Sequence, residues 1–222
     1  MLIYTCKRGS ESASKLGASL NIPVKVLERG QQPEEEVFIN WGCSWIDQPS
    51  KHLNNSEDIN FLRNKIAVLE EIKTLAVPHT TQKILAERWN KEHDIVCRHL
   101  IKSTNSKGME LIKVGGDVPK AKLYTKYIPG NEYRAYFIKG EMSSLYRKIP
   151  LQDFPCNKWK FQIDRKQLFR NLIKGHTLPI ADIAPFFAAD FILGEDRLHI
   201  LELNSSPILF PSVIDDIVTD IL

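Results

Sequence analysis

Short apolar runs alternate with turn residues over the first part of the chain, up to about position 60. Three of these runs are typical of brief strands, at residues 2–4, 24–27 and 37–40. Between the first two runs, Leu16 and Leu20 stand at helical spacing, with Ser10 or Ser12 as the candidate cap. This strand–helix–strand order predicts a small α/β unit with parallel strands.

A longer helical pattern follows the polar stretch at 49–56. Asn55, with Asp58 three residues later, matches the capping box that opens many helices. Apolar residues then recur every three or four positions, at Ile59, Leu62, Ile66, Leu69, Ile72 and Leu75. Pro78 predicts the end of this helix, because the residue before a proline avoids the helical conformation. Thr81 is the candidate cap of a second helix.

The centre of the chain changes to a strand pattern, in which apolar runs are separated by turns that contain glycine. The strands predicted there cover residues 95–101, 109–114, 122–127, 132–139 and 141–149. The later elements are helices at 165–174, near 180–188 and at 212–222, and strands at 189–193 and 198–203. We therefore expect an α+β fold with a strand-rich centre.

Composition places the chain among globular proteins and excludes several classes. Its 222 residues are 43% hydrophobic and 26% charged, which suits one large domain or two small ones. The 30 basic and 27 acidic residues give a net charge of +3, too balanced for a dedicated nucleic-acid binder. No apolar run approaches the roughly 18 residues that would span a membrane.

The cysteines predict a reducing compartment. Cys6, Cys43, Cys97 and Cys156 lie far apart, with no CxxC pair that would indicate a zinc or redox site. The apolar start of the chain is too short for a signal peptide, so we expect a cytoplasmic protein. We assign no catalytic role to Cys97, Cys156 or His99.

The strongest chemical signal is a group of oxygen-bearing side chains near the C-terminus. Glu202 and Asn204 stand two apart in a predicted strand, so they share a face, while the leucines beside Glu202 face a core. A hairpin with the preceding strand brings Asp190 alongside Glu202. Two anionic ligands and one amide suit Mg²⁺. The alternative is a set of ordinary polar residues on an exposed hairpin, but Asp190 lies in the apolar run 186–192, where a buried acid needs a partner.

A second, weaker signal is a cation followed by a flexible loop. Arg98 stands in a predicted strand just before residues 102–108, which contain serine, threonine, lysine and glycine. Such a loop can present backbone N–H groups to phosphates. On these residues alone, a solvated β-turn is the more common explanation.

A third signal is a carboxylate and several cations on neighbouring strands. Glu132 and Arg134 share one strand face, and the hairpin at Gly140 can return Arg147 or Lys148 towards them. Cations that converge on a carboxylate form a reasonable anion site. The alternative is a set of cross-strand ion pairs on a solvated face.

Taken in order, these parts resemble the ATP-grasp superfamily: a cation-bearing strand, a small loop, a linker strand, a Glu-x-Arg strand, then Asp followed by Glu-x-Asn. The most specific features are the twelve-residue step from Asp190 to Glu202 and the ending Glu202, Asn204 and Pro207. Compact ATP-grasp proteins encoded by tailed bacteriophages are similar to this chain at residues 38–42, 123–127 and 132–134. The likeness covers about residues 37–210.

The resemblance implies an ATP-grasp fold, in which two α+β subdomains grip ATP. Residues 1–55 would form a short N-terminal α/β unit, and residues 56–222 the ATP-grasp domain. Within that domain, residues 80–128 would be a small lid and residues 129–222 the C-terminal subdomain. Small members of the superfamily often pair, so a homodimer is compatible with the resemblance. A phage-encoded protein of this kind would work in the host cytoplasm.

The resemblance also implies roles for individual side chains. The ligands of Mg²⁺, or of Mn²⁺ in its place, would be Asp190, Glu202 and Asn204. ATP would contact Arg98, Lys107, Gly108, Lys126, Tyr127, Ile128, Glu132 and Leu203. The γ-phosphate or an acyl phosphate would meet Arg134 and Arg147 or Lys148. Arg98 stands where the superfamily usually has a lysine, which keeps the charge and changes the geometry.

The implied activity is ATP-dependent ligation of a carboxylate to an amine, or to a thiol, through an acyl phosphate. The residues identify neither substrate, and a peptide or protein is one candidate. Trp41 and Trp45, at the end of a predicted strand, either line a substrate site or simply pack. The alternative function is a nucleotide-binding switch or assembly protein with this fold and no ligase turnover. A nucleic-acid role for the scattered lysines is weaker.

Overall fold

The computed structural model describes residues 1–7, 10–50, 53–101, 108–152, 158–164, 183–194 and 197–221. Predictions that lie outside these ranges are the helix at 165–174, the loop at 102–107 with Lys107, and most of the tight turn at 194–196. Cys156 lies outside them as well. Among the residues described, no helix is long and apolar enough to cross a membrane.

The N-terminal residues form a small parallel sheet, as the strand–helix–strand pattern predicts. Its strands are β1 (Leu2–Thr5), β2 (Val24–Val26) and β3 (Phe38–Trp41), in the order β2-β1-β3. Both pairings are parallel. Helix α1 (Ser10–Leu20) connects β1 to β2 and buries Ala13 and Leu16 in a core shared with Ile3.

The long helix predicted from the apolar stripe is two helices joined at Asn64. Helix α2 (Ser56–Arg63) opens on the expected capping box, in which the side chains of Asn55 and Asp58 accept from each other's backbone N–H. At Asn64 the backbone leaves the helical conformation, with ψ at 89°, and its side chain caps helix α3 (Lys65–Glu71). Asparagine often bonds nearby backbone in this way, which an apolar stripe does not reveal.

An antiparallel sheet of four strands follows, in the order β4-β7-β5-β6. Its strands are β4 (His79–Thr80), β5 (Ile95–Arg98), β6 (Met109–Ile112) and β7 (Leu123–Lys126). Helix α4 (Lys83–Trp89) packs on this sheet. The predicted cap at Thr81 is wrong: the helix begins after Gln82, whose backbone N–H donates to the Thr80 hydroxyl.

The largest sheet has five antiparallel strands in the order β10-β9-β8-β11-β12. They are β8 (Asn131–Ile138), β9 (Glu141–Pro150), β10 (Trp159–Ile163), β11 (Phe186–Leu193) and β12 (Leu198–Asn204), and helix α5 (Pro211–Ile221) follows. The helix predicted near 180–188 is wrong from Phe186 onward, where β11 begins. This run is buried on both faces, and an apolar run without a period does not distinguish a strand from a helix. The sequence pattern does not predict β4 and β10, which are short and partly exposed.

The two faces of the five-stranded sheet are used differently. One face packs against α2 and α3, in a core that includes Leu62, Val68, Leu69, Ile72, Tyr133, Phe187 and Phe191. Part of the other face packs against the N-terminal sheet and α5, in a second core that includes Ile39, Trp41, Tyr136, Phe186 and Ile217. The rest of that face carries charged side chains and lines a cleft. The cores on both sides therefore hold the floor of the cleft in place.

Candidate functional site

A cleft of about 1260 Å³ lies between the five-stranded and the four-stranded sheet. Every predicted site residue lines it except Gly108 and Lys107, of which the second lies outside the described residues. Its basic side chains are Arg63, Lys65, Arg98, Lys126, Arg134, Arg147, Lys148 and Lys158. The acidic side chains among its described lining residues are Glu132, Asp190 and Glu202. The excess of basic over acidic groups favours an anionic ligand.

The floor of the cleft contains a buried ion pair. Arg134 on β8 lies directly opposite Asp190 on β11, and its Nε and Nη2 donate to the two carboxylate oxygens at 2.6 and 2.7 Å. Only 2% of Asp190 is exposed. Burial raises the pKa of this carboxyl, but the charges of Arg134 and Lys148 outweigh burial and hold the pKa below its ordinary value. Asp190 is therefore ionised at neutral pH.

Lys148 joins this ion pair from β9. Its Nζ donates to Asp190 Oδ2 at 2.8 Å and also to a carboxylate oxygen of Glu132. Burial lowers the pKa of Lys148, but Asp190 and Glu132 raise it above its ordinary value, so the ammonium stays charged. The pKa of Glu132 is raised, because burial outweighs the opposing charge of Lys148. The cross-strand ion pairs considered from the sequence do form, but on a buried face.

Glu202 has a cation of its own. Lys65, the first residue of α3, donates from Nζ to Glu202 Oε2 at 2.6 Å. Burial raises the pKa of Glu202, but the charges of Lys65 and Arg98 lower it far below its ordinary value. Lys65 is not among the predicted site residues, because a lysine within a predicted helix carries no signal of its own. Only the packing of α3 against β12 brings it to the site.

A β-bulge turns Glu202 towards the cleft. Asp190 pairs with Glu202 as predicted, but the next residue, Phe191, pairs with Ile200, which leaves Leu201 as the extra residue of β12. Without that residue, the alternation from the buried Ile200 would put Glu202 on the core face. The expectation that Leu201 faces a core holds only in part, because Leu201 also lines the cleft.

Arg98 and Lys126 enter the cleft from the four-stranded sheet. Arg98 is 7% exposed, and its Nη1 contacts the sulfur of Met109 at 3.1 Å. Over the described part of the chain, no carboxylate lies within ion-pair distance of Arg98. The Lys126 ammonium lies 5.6 Å from the centre of the Trp89 ring. Arg98 interacts with the charge of Glu202, but a buried guanidinium outside direct ion-pair distance can also bind an anion that comes from outside the chain.

The sequence does not decide between Arg147 and Lys148. Their side chains project from opposite faces of β9. Lys148 pairs with Glu132, whereas Arg147 pairs with Tyr133. Arg147 is exposed and donates to Asn131 Oδ1 at 2.6 Å. Lys148 is therefore the residue that reaches the buried cluster.

The remaining predicted contacts divide into two groups. Tyr127, Ile128 and Leu203 line the cleft, although Leu203 is only 2% exposed and also belongs to the core. Gly108 lies outside the described lining, and its neighbour in space is Leu100.

Trp41 and Trp45 pack, and neither belongs to the described lining of the cleft. Trp41 is 1% exposed, and its ring centre lies 5.2 Å from that of Phe186. Trp45 is half-buried against a small core around Tyr4 and Phe38. The sequence leaves open whether the two tryptophans line a substrate site or simply pack, and the positions of both fit packing.

Glu202 and Asn204 offer the oxygen donors that Mg²⁺ prefers. They share the cleft face of β12, with Asn204 Nδ2 at 3.4 Å from Glu202 Oε1, and the Glu202 side chain is 22% exposed. These two residues fit such an ion. Asp190 could coordinate the same ion only through an oxygen that already accepts a hydrogen bond from Arg134 or Lys148. Within the described ranges, no group of three His, Cys, Asp or Glu side chains could by itself hold a metal ion.

No protein-family model matches the chain, and no curated protein sequence matches it significantly. Solved structures match it over nearly its whole length. D-alanine–D-alanine ligase from Bacillus anthracis superposes with a TM-score of 0.68 at 11% identity, covering 99% of this chain and 96% of that chain. ATP-grasp ligase PsnB, complexed with its minimal precursor, gives 0.66 at 12% identity and covers 98% of both chains. This chain has the ATP-grasp fold.

A third neighbour is D-cycloserine synthetase DcsG, with a TM-score of 0.65 at 11% identity, covering 97% of this chain and 99% of that chain. At such identities the likeness concerns the fold. The predicted α+β ATP-grasp architecture is therefore confirmed, while the similarity to phage proteins stays a prediction. The solved PsnB structures include one with Mg and ADP.

Proposed function

We propose that this protein is an ATP-dependent ligase that joins a carboxylate to an amine, or to a thiol, through an acyl phosphate. The observation that carries the proposal is the convergence of buried cations on one cleft of an ATP-grasp fold. Arg98 enters from the four-stranded sheet, and Arg134 and Lys148 enter from the five-stranded sheet. Phosphoryl transfer depends mainly on charge stabilisation and positioning, which such a cluster supplies.

In this proposal the nucleotide lies between the two sheets. Arg98, a buried cation that makes no direct ion pair among the described residues, contacts the phosphates, and Glu132 contacts the ribose or organises the site. The adenine contacts are Lys126, Tyr127, Ile128 and Leu203. Lys107 and Gly108 belong to the loop that would cover the phosphates.

Mg²⁺, or Mn²⁺, would be held by Glu202 and Asn204, with Asp190 as the third ligand that the superfamily resemblance suggests. When bound, the ion would neutralise phosphate charge and polarise the transferred group. Lys65 already neutralises Glu202 in this arrangement, so a metal and Lys65 would share that carboxylate.

Two displacements complete the proposed reaction. A carboxylate oxygen of the substrate attacks the γ-phosphorus of ATP, the bond to ADP breaks, and an acyl phosphate forms. The amine nitrogen then attacks the acyl carbon, the bond to phosphate breaks, and the nitrogen loses a proton. Arg134 and Lys148, with Arg147 at the edge of the cleft, offset the negative charge of the phosphoryl group.

The substrates and the organisation of the chain are further parts of the proposal. One solved PsnB structure contains a precursor peptide, and a peptide or protein is the substrate class that we propose for this chain. We propose the same division as the sequence suggested: residues 1–55, then an ATP-grasp domain at 56–222 with a lid at 80–128. A homodimer is compatible with it.

The first test is calorimetric titration with ATP, with and without Mg²⁺. We expect binding that depends on Mg²⁺ and that weakens about tenfold or more in Glu202→Gln, which removes an anionic ligand. Glu141→Gln, at an exposed carboxylate on the same sheet, is the matched control and should bind like the wild type.

Two outcomes would contradict the ligase. If no binding is detected at millimolar ATP, the proposal of a nucleotide site is wrong. ATP binding with no ADP release, across a screen of carboxylates, amines and thiols, would instead favour a nucleotide-binding switch or assembly protein.

A further inference from the structure

Two aromatic rings of β10 cover the cations of the cleft. Trp159 and Phe161 stand two apart, so they share a strand face, and Phe161 lies directly opposite Lys148. The Lys148 ammonium is 4.3 Å from the centre of the Trp159 ring. The Arg134 guanidinium is 5.5 Å from the centre of the Phe161 ring. Each cation therefore contacts both a carboxylate and an aromatic face.

The rest of the fold holds these rings in place. Phe161 packs on Phe210, with ring centres 5.2 Å apart, and Phe210 stacks on Tyr146 at 4.3 Å. Trp159 is half-buried and lines the cleft. The strand itself is paired with β9 over its whole length. The residues between and after the two rings, Lys160 and Gln162, leave the opposite face and are exposed.

An aromatic ring attracts a cation without neutralising its charge, because the attraction comes from the ring quadrupole. A carboxylate partner competes with an incoming phosphate for the same N–H groups, whereas a ring leaves those groups free to donate. The ring also restricts a long side chain that has many rotamers in solution.

We propose that Trp159 and Phe161 are positioning residues, which keep Lys148 and Arg134 aimed at the phosphoryl group when an anionic ligand draws these cations away from Asp190. The inference rests on the proposed function, because it needs a phosphate in the cleft. Neither ring touches reacting atoms; both act through the cations. The sequence carries no signal for this role, since the strand that holds both rings was not predicted.

The test compares the affinities of the full-length protein for ATP and ADP by calorimetry. The ratio of the two affinities reports contacts to the γ-phosphate. We expect the ratio to fall roughly threefold to tenfold in Trp159→Leu, which keeps an apolar side chain and removes the π face. Trp159→Phe should keep most of the ratio, and the exposed Glu141→Gln should not change it. If Trp159→Leu does not fold, Trp159→Met gives the same comparison.

An unchanged ratio in a folded Trp159→Leu would overturn the proposal, and so would an equal loss of ATP and ADP affinity. If the wild type binds ATP and Trp159→Leu gives either of these outcomes, only the positioning role is contradicted. A wild type that binds neither nucleotide contradicts the proposed function, and the inference fails with it.

A second readout needs no nucleotide. Uniform ¹³C labelling makes the Cε methylene of each lysine visible to NMR without modifying the buried Lys148, and Lys148→Arg identifies the Lys148 signal. Because the Trp159 ring lies over this ammonium, we expect an upfield methylene shift that Trp159→Leu abolishes and Gln162→Leu keeps. A Lys148 signal at the position of the exposed lysines would overturn the contact on which the inference depends.

Discussion

Among single residues, Asp190 decides how the charges on the cleft floor are arranged. It accepts two hydrogen bonds from Arg134 and one from Lys148. Charge-assisted bonds of this kind are stronger than neutral ones, but the removal of three charges from water opposes them. The cluster therefore contributes more to a specific arrangement of side chains than to net stability.

The same cluster makes loss of one partner costly. Asp190→Ala leaves Arg134 and Lys148 buried without their shared carboxylate, so we expect the free energy of unfolding to fall by about 3–5 kcal/mol. Urea denaturation followed by circular dichroism measures this change. Asp117→Asn, at an exposed aspartate, should stay within about 0.5 kcal/mol of the wild type. If the free energy of unfolding decreases by less than about 1 kcal/mol in Asp190→Ala, the buried ion pair is contradicted.

At the level of elements, the connection between the two large sheets has little conformational freedom. Gly130, between β7 and β8, has a φ of +155°, and a Cβ built there would lie 2.2 Å from the backbone oxygen of Leu193. The connection therefore runs directly against the end of β11. Tyr127 and Ile128, which line the cleft, immediately precede this contact in the chain.

Gly130→Ala should disturb this contact strongly. We expect a loss of about 2–4 kcal/mol in the free energy of unfolding, from backbone strain and from the clash together. Gly30→Ala is the matched control, because Gly30 also has a positive φ, of +91°, but nothing lies within 4 Å of its Cβ position. Equal losses in the two variants, measured by urea denaturation, would show that the clash with Leu193 contributes nothing.

For the whole molecule, stability should depend on pH through groups whose pKa changes on folding. His199 on β12 is 8% exposed, and burial, with the charge of Arg197, lowers its pKa below the ordinary value of 6.5. As the pH falls through that value, the unfolded chain takes up a proton that the folded chain does not, so stability falls. His199→Gln should remove this slope from urea midpoints between about pH 7.5 and 5. A slope unchanged by the substitution would contradict the assignment.

The carboxylates act in stronger acid. Folding lowers the pKa of Asp190 and of Glu202, so their contribution is complete above the ordinary carboxyl range and is lost as the pH falls through the folded values. Glu132 has the opposite sign, because folding raises its pKa. Two separate regions of acid destabilisation are therefore expected, the first from His199 and the second from the cleft.

Several features follow from the sequence alone, because short-range rules determine them. The capping box at Asn55 follows from residues that are neighbours in the chain. The parallel N-terminal strands follow from a strand–helix–strand order. The common face of Glu202 and Asn204 follows from the period of two along a strand.

Only the tertiary structure decides which cation meets which carboxylate. Lys65 reaches Glu202 across 137 residues of chain, and Lys148 rather than Arg147 reaches Asp190 because the two leave opposite faces of β9. The bulge at Leu201 places Glu202 on the cleft face. A local pattern reports which residues share a face, but the packing of separate helices and sheets determines what that face meets.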